Sequence, residues 1–126
     1  MLAAGLAMAA MLAAGPPKSD KLLCENPADD RVVRALGAIY LNCTTARARA
    51  HSASGDPPPS IAGAAITACA PDRESLVKAF QECRVRDGDA PSEAERVVKA
   101  TMVGADAWVR TKALEAASAK RPHRRH

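Results

Sequence analysis

The chain has 126 residues and a mass of 13.2 kDa, which is enough for one domain. It carries 18 lysine and arginine residues against 14 aspartate and glutamate residues, a net charge of +4. A content of 48% hydrophobic and 25% charged residues excludes a disordered polyelectrolyte and a protein with several membrane spans. Because only 2% of the residues are aromatic, any core must be built from small aliphatic side chains.

The first segment, residues 1–15, contains no charged residue and is followed by Pro16, Pro17 and Lys18. It is too short to cross a bilayer, which takes about 20 apolar residues. It is typical of a secretory signal peptide, with its basic start missing because no basic residue precedes Lys18. We therefore expect a periplasmic or secreted protein without a transmembrane span in the mature chain. The alternative interpretation is a buried N-terminal helix.

Four cysteines follow this segment, at Cys24, Cys43, Cys69 and Cys83. An even number of cysteines in a short exported chain predicts disulfide bonds. The sequence has no Cys-x-x-Cys motif, and its histidines are distant from the cysteines. The spacing therefore favours a structural role over metal binding or redox chemistry.

A first helix is predicted from Asn26 as N-cap and Pro27 as first helical residue. Its apolar positions recur every three or four residues, which predicts one buried face. That face comprises Val32, Leu36, Ile39, Cys43, Ala46 and Ala50. Arg47 and Arg49 lie in the last turns, where cations suit the terminal carbonyl groups. Residues 52–59 end in three prolines and predict a non-helical linker.

Ser60 is the predicted N-cap of a second helix, which Pro71 breaks or kinks before the apolar pattern resumes. Its predicted buried positions are Ile61, Ala65, Cys69, Leu76, Phe80 and Cys83.

A third helix is predicted from a capping box formed by Ser92 and Glu95. Its buried face should carry Val98, Met102, Ala105 and Val109, with Trp108 beside it. We expect this helix to fray after Leu114. The helical domain then covers residues 22–118, and residues 119–126 form a solvated basic tail.

The sequence thus predicts an all-α fold, a disulfide-stapled antiparallel helical hairpin plus a third C-terminal helix. In such a hairpin, Cys43 faces Cys69 and Cys24 faces Cys83, since both pairs centre on the same turn. The crossed pairings would join residues several turns apart, beyond the ~5.5 Å separation that a disulfide requires. A Cys24–Cys43 bond would have to bridge the length of one helix. Because Cys24 precedes the first helix, we expect the outer bond mainly to restrain the segment before Asn26 and the end of the second helix.

Two segments carry a resemblance, Tyr40-Leu41-Asn42-Cys43 and Ala64-Ala65-Ile66-Thr67-Ala68-Cys69. They resemble small uncharacterised exported helical four-cysteine proteins of bacteria, over residues 36–83. This resemblance names no activity, so nothing functional carries over from it.

Basic residues are the candidate contacts for an anionic partner. They are Arg31, Arg34, Arg47, Arg49, Arg121, Arg124 and Arg125. A nonspecific charge effect is the alternative. Specific nucleic-acid recognition is not expected, since no aromatic platform or zinc-finger motif accompanies the charge.

No recognisable catalytic motif, cofactor-binding motif or metal-ligand spacing is present in the sequence. We therefore predict a non-enzymatic exported protein, a binding module whose partner is an unknown protein or an anionic envelope component. The alternative is a small enzyme or enzyme inhibitor with an unrecognised surface site. A pocket with converging titratable groups would favour that alternative.

Overall fold

The computed structural model describes residues 22–119, which are all helical apart from short connections. The four helices of this range are α1 (Pro27–Ala50), α2 (Pro58–Ala68), α3 (Ala70–Arg86) and α4 (Pro91–Ala119). The predicted all-α class is confirmed. None of these helices combines the length and the apolarity needed to cross a membrane. The predicted signal peptide and most of the predicted tail lie outside the described residues.

The helices form a bundle with three arms, in which α2 and α3 together make the middle arm. The Tyr40 hydroxyl of α1 meets Asp106 of α4 at 3.0 Å, and farther along both helices Ala48 and Ala113 share one core cluster. Helix α4 therefore runs in the same direction as α1, and the middle arm returns between them. This is the predicted hairpin with a third helix.

The N-terminus of α1 is capped as predicted. The Oδ1 atom of Asn26 accepts hydrogen bonds from the backbone N–H groups of Ala28 at 2.8 Å and Asp29 at 3.4 Å. Pro27 occupies the first turn, where its missing N–H leaves no hydrogen bond unmade.

The prediction that residues 52–59 contain no helix was wrong at their C-terminal end. Helix α2 begins at Pro58 with Pro57 as N-cap, so Ser60 lies inside the first turn. The fixed φ of proline suits the first helical turn, which needs no donor from these residues. The predicted break near Pro71 is confirmed, although it falls at Cys69, and Pro71 lies in the first turn of α3.

Both predicted limits of the last helix were wrong. Helix α4 begins at Pro91, so Ser92 lies within its first turn and its hydroxyl makes no capping hydrogen bond within residues 22–119. The helix does not fray after Leu114 but continues to Ala119. Its last turns are held by tertiary packing of small side chains. These belong to a core cluster of Ala48, Ile61, Ala62, Ala65, Ala113, Ala116 and Ala117.

The predicted buried face of α1 was also wrong. Val32 and Ile39 are 53% and 49% exposed, whereas the neighbouring Val33 and Tyr40 are almost fully buried. The hydrophobic positions that α1 buries are Val33, Gly37, Tyr40, Leu41 and Ala48. This face is buried because α1 packs against both the middle arm and α4. Leu36 and Cys43 lie at its edge and are only partly buried.

The faces predicted for the other helices are confirmed. Helices α2 and α3 bury Ile61, Ala65, Leu76, Phe80 and Cys83, and Cys69 between them is also buried. Helix α4 buries Val98, Met102, Ala105 and Val109, and Trp108 packs against this core from its side.

Both predicted disulfides are confirmed. Cys24 is bonded to Cys83 and Cys43 to Cys69, with Cα–Cα separations of 5.9 and 6.1 Å. Cys24 precedes α1 but is fully buried, and it belongs to the main core with Leu76 and Phe80. The outer bond is therefore part of the core, whereas the sequence predicted a restraint mainly on the segment before Asn26 and the end of the second helix.

Candidate functional site

The basic end of the bundle is the end at which α1 finishes, α2 starts and α4 finishes. Arg47 and Arg49 lie in the last turn of α1, and His51 is its C-cap residue. All three side chains are exposed. A cation here is favoured by the carbonyl groups of the helix terminus, and this explains local stability without any ligand.

Neither Arg47 nor Arg49 has an ion-pair partner within residues 22–119, whereas six other basic residues there do. The six pairs are Arg34–Asp30, Arg73–Asp106, Arg84–Asp89, Arg86–Asp29, Arg96–Glu93 and Lys112–Glu115. The range 22–119 contains twelve lysine and arginine residues against thirteen aspartate and glutamate residues. The folded part is thus close to neutral. The basic residues of this range without an ion pair are Arg31, Arg47, Arg49, Lys78, Lys99 and Arg110, of which only Arg47 and Arg49 share one helical turn.

The predicted contact residues are not brought together as one surface. Arg31 is exposed at the opposite end of α1, about 24 Å from Arg47 along the helix axis. Arg121, Arg124 and Arg125 lie outside the described residues. They follow Ala119, the last residue of α4, which ends at the basic end of the bundle.

Arg34 does not lie on an open surface. Its side chain is 12% exposed, and its Nε donates to Oδ2 of Asp30 at 2.6 Å. Oδ1 of Asp30 accepts the backbone N–H groups of Leu23 at 2.8 Å and Cys24 at 3.1 Å. Arg34 therefore holds the segment that carries the outer disulfide, and it is unsuited to an external anion.

A groove of about 140 Å³ opens at the basic end beside Arg47 and His51. The groove is lined by Asp56 and Ser60 as well as His51, so it contains the three residue types of a hydrolytic triad. No hydrogen bond joins the side chains of His51, Asp56 and Ser60 within the described range, so the paired nucleophile and base of such a site are not formed. The charged or titratable side chains that line the groove are those of Arg47, His51 and Asp56.

The start of α2 offers this groove no free N–H group from its first residues. Pro58 and Pro59 have no N–H group, and the N–H groups of Ser60 and Ile61 both donate to the carbonyl of Pro57. A helix N-terminus binds anions through its free N–H groups. An anion in this groove would therefore have to be held by the arginine and histidine side chains.

A second polar cluster, which the sequence did not predict, joins α1, α3 and α4. Arg73 donates from Nε and Nη2 to the two carboxylate oxygens of Asp106 at 2.9 and 2.7 Å. The Tyr40 hydroxyl donates at 3.0 Å to Oδ1 of Asp106, the same oxygen that accepts from Nε of Arg73. Because these residues are 33 and 66 positions apart, no local sequence pattern connects them.

Tyr40 is the only tyrosine in the sequence, so its ionisation can be followed by the ultraviolet absorbance of tyrosinate. Burial raises its pKa above the ordinary 10.0, as do the charge of Asp106 and the hydrogen bond to it, against a smaller opposing effect of Arg73. We expect no tyrosinate near pH 10 until the protein unfolds. The neutral phenol stabilises the folded protein fully below pH 10, the ordinary pKa of the unfolded state. This stabilisation is lost as the pH rises above 10 towards the higher pKa of the folded state. In urea the unfolded protein should ionise near pH 10. Reversible ionisation at the same pH in the folded protein would contradict the prediction.

Three potential metal ligands, Cys43, Cys69 and Asp72, lie within 4.8 Å of one another. Both sulfur atoms belong to the inner disulfide. A zinc-type site requires thiolates, and none is present here while the bond is formed. This group is therefore part of the bridge between α1 and the middle arm.

Comparison of the chain with protein-family models, with curated proteins and with solved structures gave no match.

Proposed function

We propose that this protein is exported and acts by binding, with the basic end of the bundle contacting an anionic component of the cell envelope. One observation carries the proposal: Arg47 and Arg49 are exposed in the last turn of α1 and have no ion-pair partner within residues 22–119, where six other basic residues are paired. The chain then adds Lys120, Arg121, Arg124 and Arg125 directly after the helix that ends there. Clustered lysine and arginine side chains bind anionic lipid surfaces with about 1 kcal/mol each.

Export is supported by two independent features. Residues 1–15 have the composition of a signal peptide. All four cysteines of the chain are paired, and disulfides of this kind persist in oxidising compartments. Fractionating cells that express the full chain with a C-terminal tag tests the compartment. A shortened product outside the cytoplasm is expected, and an uncleaved cytoplasmic product would contradict export.

Binding is tested by sedimentation of the oxidised protein with vesicles that contain about one third anionic phospholipid. We expect binding that weakens as salt is raised, and little binding to neutral vesicles. Arg47→Gln with Arg49→Gln should weaken binding about tenfold, since two charges contribute about 2 kcal/mol at most. Deleting residues 120–126 should weaken it further and leave the melting temperature unchanged.

The matched control is Lys78→Gln with Lys99→Gln, which removes two exposed charges from α3 and α4 away from the basic end. It changes the net charge by the same amount. If binding depends on the basic end, this control keeps nearly the affinity of the unmodified protein. An equal loss in both double variants would leave only a net-charge effect and would contradict the proposal.

A further inference from the structure

The outward face of α1 carries an exposed strip without charge, here called the outer strip. Its residues are spaced alternately by four and three positions: Ala28, Val32, Ala35, Ile39, Asn42 and Ala46. All six are exposed, including Val32 at 53% and Ile39 at 49%. Gly37 and Thr44, which lie on the opposite side of the helix, are buried in the bundle. Helix α1 therefore has a second apolar face directed away from its own core.

We propose that the outer strip is a dimer interface, in which α1 pairs antiparallel with α1 of a second copy of the chain. Alternate spacing of four and three residues is the pattern of a seam between two supercoiled helices. Val32, Ile39 and Ala46 form one of the two rows of that seam, and Ala28, Ala35 and Asn42 form the other. The strip is long enough for about five helical turns of contact.

The side chains of the strip are complementary to themselves in the antiparallel direction. In an antiparallel pair centred at the level of residue 37 along the helix axis, Ile39 lies opposite Ala35 of the second copy. Val32 then lies opposite Asn42 of that copy. Each larger branched side chain then meets a smaller one. A symmetric pair uses every contact twice, which is the usual form of a closed dimer.

Charge at the two ends of the strip favours the same partner and direction. Arg49 continues the spacing beyond the C-terminal end of the strip, and Glu25 lies just before α1, in the segment at the other end. Both are exposed and without an ion pair within residues 22–119. In the antiparallel pair Glu25 of each copy lies beside Arg49 of the other. A parallel pair would bring Arg49 and the whole basic end against their own copies, which is repulsive.

Association is expected to be reversible, because a single pair of helices buries an area at the small end of specific interfaces. We expect a Kd on the order of tens of micromolar for the oxidised full chain. Such a dimer would present its two basic ends at opposite ends of the helix pair.

Sedimentation velocity of the oxidised full chain, over about a tenfold range on either side of that Kd, tests the proposal. A concentration-dependent dimer is expected. Ile39→Lys should remain monomeric while keeping the helicity and melting temperature of the unmodified protein, since Ile39 is half exposed. Val103→Lys, at a 70% exposed residue of α4 outside the strip, is the matched control and should dimerise normally.

The direction of pairing is tested by charge reversal. Glu25→Arg alone should raise the Kd about tenfold, and adding Arg49→Glu should restore it. A parallel dimer would show no such rescue, and this would overturn the proposed arrangement. A monomer at every concentration would overturn the interface and would mean that the strip is not covered by a second copy. An Ile39→Lys variant that still dimerises would also overturn it, because another surface would then hold the dimer together.

Discussion

Removing the outer disulfide with Cys24→Ala and Cys83→Ala is expected to lower the free energy of unfolding by about 4 kcal/mol. The bond joins residues 59 positions apart, against 26 for the inner bond, so it restricts the unfolded chain more. The same loop-entropy relation gives about 3.5 kcal/mol for the inner bond. Cys24 and Cys83 are both fully buried, so lost packing adds to the entropic effect.

Chemical denaturation of the two double variants, outer pair and inner pair, measures these costs side by side. Alanine is preferred to serine because it leaves no unpaired hydroxyl in the core. Cys43→Ala with Cys69→Ala is the matched control, and it should be the more stable of the two. A cost below about 1 kcal/mol for the outer pair would contradict the prediction. It would mean that hydrogen bonds alone, such as that from Glu25 N–H to Asp87 at 2.8 Å, hold the N-terminal segment.

Local chemistry predicted the features whose partners are close in sequence or fixed by the turn between two helices. The Asn26 cap needs only the two N–H groups that follow it. The disulfide pairing follows once the chain reverses near Gly55, whose positive φ of 95° suits a residue without a side chain. The buried faces of α3 and α4 were predictable because charged residues interrupt their exposed sides.

The buried face of α1 was not predictable from the same pattern. No charged residue lies between Arg34 and Arg47, so the sequence there contains two apolar faces and nothing that distinguishes them. Tertiary contacts decide the choice, since α1 is covered by both the middle arm and α4. The length of α4 was missed for a related reason. Ala113, Ala116 and Ala117 have weak apolar patterns and become fixed only by packing against α2.

The candidate site was predictable in part. Exposed arginines at the end of a helix are visible in the sequence, and Arg47 and Arg49 are placed as expected. Arg34 is four residues after Asp30, a spacing that permits an ion pair on one helix. The sequence therefore contained a local indication that Arg34 is not available to an external partner. The contact of Tyr40 and Arg73 with Asp106 had none, because it depends on how three arms pack.

Asp30→Ala is expected to lower the free energy of unfolding by about 3 kcal/mol. The carboxylate is 7% exposed and accepts the N–H groups of Leu23 and Cys24 together with Nε of Arg34. Removing it leaves these donors, including a nearly buried guanidinium, without an acceptor. Nη1 of Arg34 already has no partner within residues 22–119, so no other group replaces the lost one. Glu115→Ala, which breaks an exposed pair with Lys112, is the control and should cost less than about 0.5 kcal/mol.

The pH dependence of stability separates the charge of Asp30 from its packing. Burial raises the pKa of this carboxyl, but the hydrogen bonds from Arg34, Cys24 and Leu23, and the charge of Arg34, outweigh burial, so the pKa lies below the ordinary 3.8. The stabilisation is therefore complete above about pH 4 and is lost as the pH falls through the lower pKa of the folded state. The unfolding free energy of the unmodified protein should fall more steeply below pH 4 than that of Asp30→Asn, whose side chain does not titrate. Parallel slopes for the two proteins in that range would show that the carboxylate contributes no net charge stabilisation.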